Sequence, residues 1–302
     1  MASKKWSARD AAKCIITPSE LDHKYSRGVL GVITGSAKYP GAAVLSTGAA
    51  YATGLGMVRF HSSSGLAHLV LHSNPEAVVQ PGPVTAWLAG SGVDSKKYSD
   101  FTTWLRHRWF TLLKKQTVPT VLDAGALYLA GRYQQPTLIT PHAGELSKLL
   151  NSRGVKVSAE QIEAEPSKWA VKASAKLGVI VLVKGSCTVV ADGDRVIELP
   201  KSTPWLATAG SGDVLAGIIG ALVATNYIEI LNSKHRLAEV AATGAFIHNS
   251  AAVMASKGGP ISASSIIDAI PAAVGKLLLL LFVDRFFKGI IDNLCNHQNV
   301  FM

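Results

Sequence analysis

Between Thr203 and Ala224 a small-residue turn, Ala209-Gly210-Ser211-Gly212, passes through Asp213 into an apolar run. There Val214, Leu215, Ile218, Ile219, Leu222 and Val223 recur at the spacing of one buried helix face. A glycine turn opening into a helix leaves backbone N–H groups unpaired beside the positive end of the helix dipole, which suits phosphate. A carboxylate there would repel a bound anion unless it had a task, and the evident task is to accept a proton. The same residues also describe a plain capped helix start, with Asp213 satisfying N–H groups and nothing more.

Other polar groups stand where apolar runs end. The run from Val179 stops at Lys184-Gly185-Ser186-Cys187-Thr188, so the lysine either snorkels or reaches a phosphate beside the glycine and serine amides. The run Pro136–Thr140 ends in Pro141-His142-Ala143-Gly144-Glu145, which puts His142 and Glu145 three apart at a helix start. Glu145 is favourable at a helix N-terminus in its own right. Val118–Leu122 ends on Asp123-Ala124-Gly125, and Val84–Ala89 runs into Gly90-Ser91-Gly92-Val93-Asp94, a glycine pair without the third glycine of a dinucleotide fingerprint. Cys187 has no partner base near it in sequence and is read as an inert thiol.

The elements that must position these groups alternate. Gly28–Thr34, Gly56–Phe60, His68–Leu71, Val84–Ala89, Val118–Leu122, Pro136–Thr140, Val179–Lys184, Val189–Ala191 and Arg195–Leu199 read as strands. Ala42–Thr53, a Trp104–Leu113 segment, 158–177, Lys234–Ala255 and Ser262–Val274 read as helices. The small residues Gly41, Ala42 and Ala43 open the first of these helices, where either a ligand or the sheet could approach closely. The pattern predicts an α/β fold with a mainly parallel sheet and helices on both faces.

The chain has 302 residues, 48% hydrophobic and 17% charged, enough for one large domain. Residues 1–22 form a lead-in, 23–275 the domain, and 276–302 an apolar tail that must pack on the domain or on another subunit. No run approaches the length that spans a bilayer, and the N-terminus lacks a signal-peptide core. These features predict a soluble protein. Cys14, Cys187 and Cys295 lie far apart, which fits a reducing cytoplasm rather than a disulfide framework or a zinc site. The net charge of +10 is scattered, so it argues for small anionic ligands over nucleic acid.

Four segments in this order resemble the ADP-dependent NAD(P)H-hydrate dehydratase family of the ribokinase-like superfamily. They are His23-Lys24 through Gly35-Ser36 with Tyr39-Pro40-Gly41-Ala42-Ala43, then Thr140–Glu145, Val183–Thr188, and Leu206–Asp213. The resemblance covers about residues 20–275 and implies a ribokinase-like fold. It implies that (6S)-NADHX and (6S)-NADPHX are dehydrated to NADH and NADPH at the expense of ADP, giving AMP and phosphate. Carried over by motif, Ala42, Ala43, Gly90, Gly92, His142 and Asp213 would contact the hydrated cofactor. Lys184, Gly185, Ser186, Cys187, Thr188 and Gly212 would contact the adenine nucleotide. Asp213 would be the catalytic base, the amides of Ala209, Gly210, Ser211 and Gly212 an anion hole, and Glu145 an indirect, water-mediated Mg²⁺ ligand. The family implies a homotetramer in the cytoplasm, with no nucleic-acid or membrane partner.

Departures from the family pattern fall at Gly90–Asp94, in place of Gly-Pro-Gly-Leu-Gly, and at His23–Gly28. Many relatives carry an N-terminal epimerase domain, whereas this chain is expected to be the stand-alone form. The competing reading is an ATP-dependent kinase of a hydroxymethylpyrimidine or thiazole alcohol, which would use the same Gly-Ser-Gly-Asp turn. A non-catalytic nucleotide binder of the same fold is a third, disfavoured by the retained Asp213.

Overall fold

The computed structural model describes residues 3–95, 101–233 and 235–298. Short β-branched and aliphatic runs form the strands β1 (Ser3–Lys5), β2 (Val29–Ile33), β3 (Met57–Phe60), β4 (Ala86–Ala89), β5 (Thr120–Leu122), β6 (Thr137–Ile139), β7 (Ile180–Val183), β8 (Val189–Asp192) and β9 (Arg195–Glu198). They make one nine-stranded sheet in the order β1-β9-β8-β7-β6-β5-β4-β2-β3. Every neighbouring pair is parallel except β7–β8 and β8–β9, so β8 alone runs against the rest. The strands β2 and β4 are buried along their whole length, as a sheet covered on both faces requires.

Helices cover both faces. On one side lie α1 (Ala8–Ala12), α2 (Gly41–Ala52) and α3 (Ser64–Ser73). The other carries α4 (Phe101–Trp109), α5 (Leu112–Lys115), α6 (Ala143–Ser152), α7 (Ala159–Ala164) and α8 (Pro166–Leu177). The chain then returns to the first face with α9 (Ser211–Thr225), α10 (Tyr227–Asn232), α11 (Arg236–Ser256) and α12 (Ala263–Gln298). The α9 helix is buried without a break from Val214 to Ala224, held between the sheet, α2 and α11.

Three local expectations differ. His68–Leu71 lies in α3, not in a strand. Ala67 and Val70 are its inward residues, three apart, and a short apolar run does not by itself distinguish strand from helix. The segment 158–177 is two helices, because Pro166 begins α8 and Glu165 before it takes a non-helical backbone (φ −133°, ψ 60°). The lead-in contributes a strand, β1, which pairs parallel with β9. Residue 234, where the sequence starts the long alanine-rich helix, lies outside the described residues, and the helix runs over Arg236–Ser256.

The expectation that no stretch has the length and apolarity to span a bilayer is also corrected. The stretch Ala263–Val283, 21 residues of mean hydropathy 2.2, is long and apolar enough to cross a membrane by length and composition. The sequence reading divided it at Lys276, but α12 passes that lysine without interruption. Its residues Ile266, Ile270, Ala273 and Leu277, three or four apart, are buried in the domain core, while Leu279 and Phe282 are exposed.

Candidate active site

Because β2, β4, β5, β6 and β7 are parallel, the polar groups that follow them meet at one edge of the sheet. Asp123, just after β5, is the centre of that edge. It is 3% exposed; its Oδ1 accepts from Lys184 Nζ at 2.9 Å and Thr140 Oγ1 at 2.8 Å, and its Oδ2 accepts from Ser91 Oγ at 2.8 Å. Burial pushes its pKa up, but the Lys184 charge and these hydrogen bonds outweigh burial and hold the carboxyl below its ordinary value. Lys184 is raised above the usual lysine range, since the pull of Asp123 and Glu145 overcomes its desolvation. Glu145 Oε2 lies 3.8 Å from Lys184 Nζ.

Asp213 sits in the first turn of α9, part-buried. Burial, reinforced by the negative charge of Asp123 and only partly offset by Lys184, raises its pKa to about 6. The two carboxyls are thus driven apart: Asp123 is kept ionised by Lys184, and Asp213 is poised to exchange a proton near neutrality. Such a divided pair is what acid–base chemistry at pH 7 requires.

The turn before Asp213 depends on Gly210. Its φ of +86° is left-handed, and a Cβ there would lie 2.6 Å from Leu45 Cδ1 and 3.0 Å from Ala263 Cβ. Gly210→Ala is therefore expected to cost on the order of 2 kcal/mol or more, read as a fall in denaturation midpoint, and to weaken nucleotide binding by displacing the Ser211 and Gly212 amides. The glycine pair after β4 is constrained in the same way. A Cβ on Gly90 (φ +110°) would meet the Asp123 carbonyl oxygen at 1.9 Å, and one on Gly92 (φ +65°) would meet Ala42 Cβ at 2.3 Å. Ser36 Oγ donates to the Gly92 carbonyl at 2.7 Å, tying the loop before α2 to this pair.

His142 is the N-cap of α6. Its Nδ1 accepts from the amides of Gly144 (3.1 Å) and Glu145 (3.4 Å), and Glu145 Oε2 accepts from the His142 amide at 2.9 Å. An accepting Nδ1 leaves the ring proton on Nε2, which lies 3.6 Å from Glu145 Oε2. The bridge between His142 and Lys184 fixes the two strand ends side by side.

A cavity of about 510 Å³ opens beside Gly212, lined by Lys184, Gly185, Ser186, Thr188 and Ser211, with Lys201 and Thr203 opposite. The sequence-derived nucleotide residues thus converge, with Cys187 excepted: it is exposed and lines a separate hollow of about 40 Å³. Of the proposed anion hole, Ser211 and Gly212 line the cavity, while Ala209 and Gly210 shape the turn. Ala42 packs beside Gly92, and Ala43 is wholly buried beside Gly35. Asp213 is not part of the cavity wall.

Two residues escaped sequence reasoning. In the sequence Asp123 is only a polar group at a strand end, and that position is its single distinguishing signal. His248, on α11, lines the cavity, is 6% exposed, bonds to the Ser211 backbone and is pushed down to about 4 by burial, so it is neutral. It was hidden in an alanine-rich helical pattern that reads as core.

A family model described as NAD(P)H-hydrate dehydratase matches residues 30–272. The chain is 40% identical over 235 residues to the bifunctional NAD(P)H-hydrate repair enzyme Nnr of Mycobacterium tuberculosis, covering 73% of this chain and 46% of that protein. It therefore spans about half the length of that relative. It is 31% identical over 276 residues to the ADP-dependent (S)-NAD(P)H-hydrate dehydratase of Neisseria meningitidis serogroup B, covering 84% of this chain and 86% of the relative. Among solved structures, the ADP/ATP-dependent NAD(P)H-hydrate dehydratase from Bacillus subtilis, co-crystallized with ATP/Mg²⁺, superposes with a TM-score of 0.76. At 22% identity over 91% of this chain and 98% of that one, it shows a shared fold.

Proposed function

The chain belongs to the NAD(P)H-hydrate dehydratase family, and from that premise we propose that it uses ADP to dehydrate (6S)-NADHX and (6S)-NADPHX to NADH and NADPH, releasing AMP and phosphate. The observation that carries this is Asp213, raised to about 6, directly after the Ser211-Gly212 turn that lines the cavity and within electrostatic reach of the Asp123–Lys184 pair.

A ring hydroxyl is a poor leaving group, and phosphorylation makes it a good one. Asp213 accepts the hydroxyl proton as that oxygen bonds to the terminal phosphorus of ADP and the bond to the bridging oxygen breaks, freeing AMP. The Ser211 and Gly212 amides, at the N-terminus of α9, and Lys184 stabilise the charge on the transferred group. Phosphate then leaves with the C–O electron pair, and loss of a proton from the neighbouring ring carbon restores the double bond. The Nε2–H of His142 orients the hydrated ring beside Ala42 and Gly92, while Gly185, Ser186 and Thr188 hold the nucleotide.

Among the described residues no group of three or more His, Cys, Asp or Glu forms a metal cage. Glu145, with its Oε2 3.8 Å from Lys184 Nζ at this edge, would hold through water a Mg²⁺ brought by the nucleotide. Bound there, Mg²⁺ supplies charge neutralisation on the phosphates. The exposed apolar residues Val253, Leu279 and Phe282 on α11 and α12 support assembly as a homo-oligomer, a tetramer by family likeness.

The test is the return of reduced-nicotinamide absorbance when purified protein is mixed with (6S)-NADHX, ADP and Mg²⁺. No return with ADP, or product from a pyrimidine or thiazole alcohol with ATP, sinks the proposal in favour of the kinase. Because Asp213 must be unprotonated to act, kcat is expected to fall on the acid side of about pH 6 and to level off above it.

A further inference from the structure

A second cavity, of about 320 Å³, opens beside the loop that leads into α2. Ser36, Ala37 and Pro40 form its inner wall, Ser63, Gly65, Leu66 and Leu69 of α3 one flank, and Leu105, Arg106 and Trp109 of α4 the other. Arg106 is 4% exposed. Its Nε donates to Gly35 O at 2.8 Å, Nη1 to His61 O at 2.8 Å and Nη2 to Thr34 O at 2.6 Å. A guanidinium has about five N–H donors, so one on each terminal nitrogen is left without an acceptor among the described residues. No carboxylate among them lies close enough to balance its charge, and burial alone lowers its pKa to about 10. A buried cation compensated only by carbonyl dipoles is costly unless something anionic visits it.

The opposite flank is also short of acceptors. Ser63 caps α3 without a side-chain hydrogen bond, and the first backbone bond of the helix is from Ala67 to Ser63. The amides of Ser64, Gly65 and Leu66 therefore have no acceptor among the described residues, and Gly65 and Leu66 line the same cavity as Arg106. Among the described residues no acidic one lines it, and Trp109, Leu69 and Leu105 make apolar wall.

We propose that this cavity binds the adenylate half of the dinucleotide substrate, with phosphate between Arg106 and the α3 amides and the base against Trp109. The inference rests on the hydrated dinucleotide being the substrate: with the nicotinamide end at Ala42 and Asp213, the remainder of the molecule leaves past Pro40, which borders both places. It makes the cavity the element that distinguishes a dinucleotide from a mononucleotide carrying the same reacting ring.

Gly65→Glu is the informative variant. A Cβ at Gly65 meets nothing within 4 Å, and an acidic residue in the first turn suits the helix dipole, so the fold is expected to be retained. Its carboxylate would repel the phosphate. The KM for NADHX is expected to rise about tenfold or more, and the advantage of NADHX over hydrated reduced nicotinamide mononucleotide to shrink by the same factor. Calorimetric binding of oxidised NAD against oxidised nicotinamide mononucleotide tests the cavity without turnover: the wild type should prefer NAD, and Gly65→Glu should lose that preference. A wild type that binds both equally, or a variant that keeps the preference, overturns the inference. Failure of the wild type to dehydrate NADHX while the NAD preference behaves as stated refutes the proposed reaction and leaves the cavity assignment standing.

Discussion

Asp213→Asn is expected to lower kcat by about 10³-fold or more while ADP still binds. The lost contribution of a positioned base is about 10²–10⁴-fold, and an amide of the same shape cannot take the hydroxyl proton. The proposed nucleotide residues Lys184, Gly185, Ser186, Thr188 and Gly212 line the cavity and Asp213 does not, so the dissociation constant for ADP should change little. The variant should also be more stable. A carboxyl whose folded pKa is about 6 against an ordinary 3.8 binds its proton more tightly when folded. Its stabilising effect is then complete only in acid and is lost as pH rises through about 6. Removing that titration should raise the melting temperature at pH 8 and leave it nearly unchanged at pH 4. Near-normal turnover in a folded Asp213→Asn protein would remove Asp213 as the base. A lower melting temperature at pH 8 would show that its carboxylate is a structural cap.

Much of this site is legible in the sequence because it is built from local segments. The turn at Ala209–Asp213, the lysine that ends β7 and the His142–Glu145 start of α6 each declare their chemistry within about six residues. What holds them together does not. The hydrogen bonds of Asp123 come from Ser91, Thr140 and Lys184, 32, 17 and 61 residues away, and no spacing rule connects them. Ser91 stands where the resemblance has proline, so its hydroxyl bond to Asp123 is a feature that the family pattern does not suggest. The fold shows the same division. Buried strands and the α9 helix follow from hydrophobic pattern, whereas α3 was mistaken for a strand because four apolar-rich residues fit either period. The β1 strand was missed since Ser3-Lys4-Lys5 is a short, exposed edge segment without an apolar signature.

Asp123→Asn should disturb the fold and the chemistry together, in directions that can be told apart. The substitution keeps the shape but leaves the Lys184 ammonium, whose side chain is 20% exposed, with Glu145 at 3.8 Å and the more weakly coupled Asp213 as its carboxylate neighbours among the described residues. Removing one partner of a largely buried ion pair costs about 3–5 kcal/mol, which in a domain of this size lowers the melting temperature by about 5–15 °C. Asp123 has a depressed folded pKa, so its contribution is present above the unfolded value near 4 and is lost as pH falls through the folded one. Lys184 has a raised folded pKa, so its contribution is present below about 10.4 and is lost as pH rises through the folded value. The stability gap between wild type and variant is therefore widest between about pH 5 and 10 and narrows in acid. The chemical signature is separate. With Asp123 neutral, one cause of the raised Asp213 pKa disappears and the pull of Lys184 remains, so the acid limb of the rate profile should move below about pH 6. A destabilised variant whose acid limb stays where it was would confine Asp123 to the fold. A limb displaced toward acid would identify it as a residue that, after burial, raises the proton affinity of Asp213.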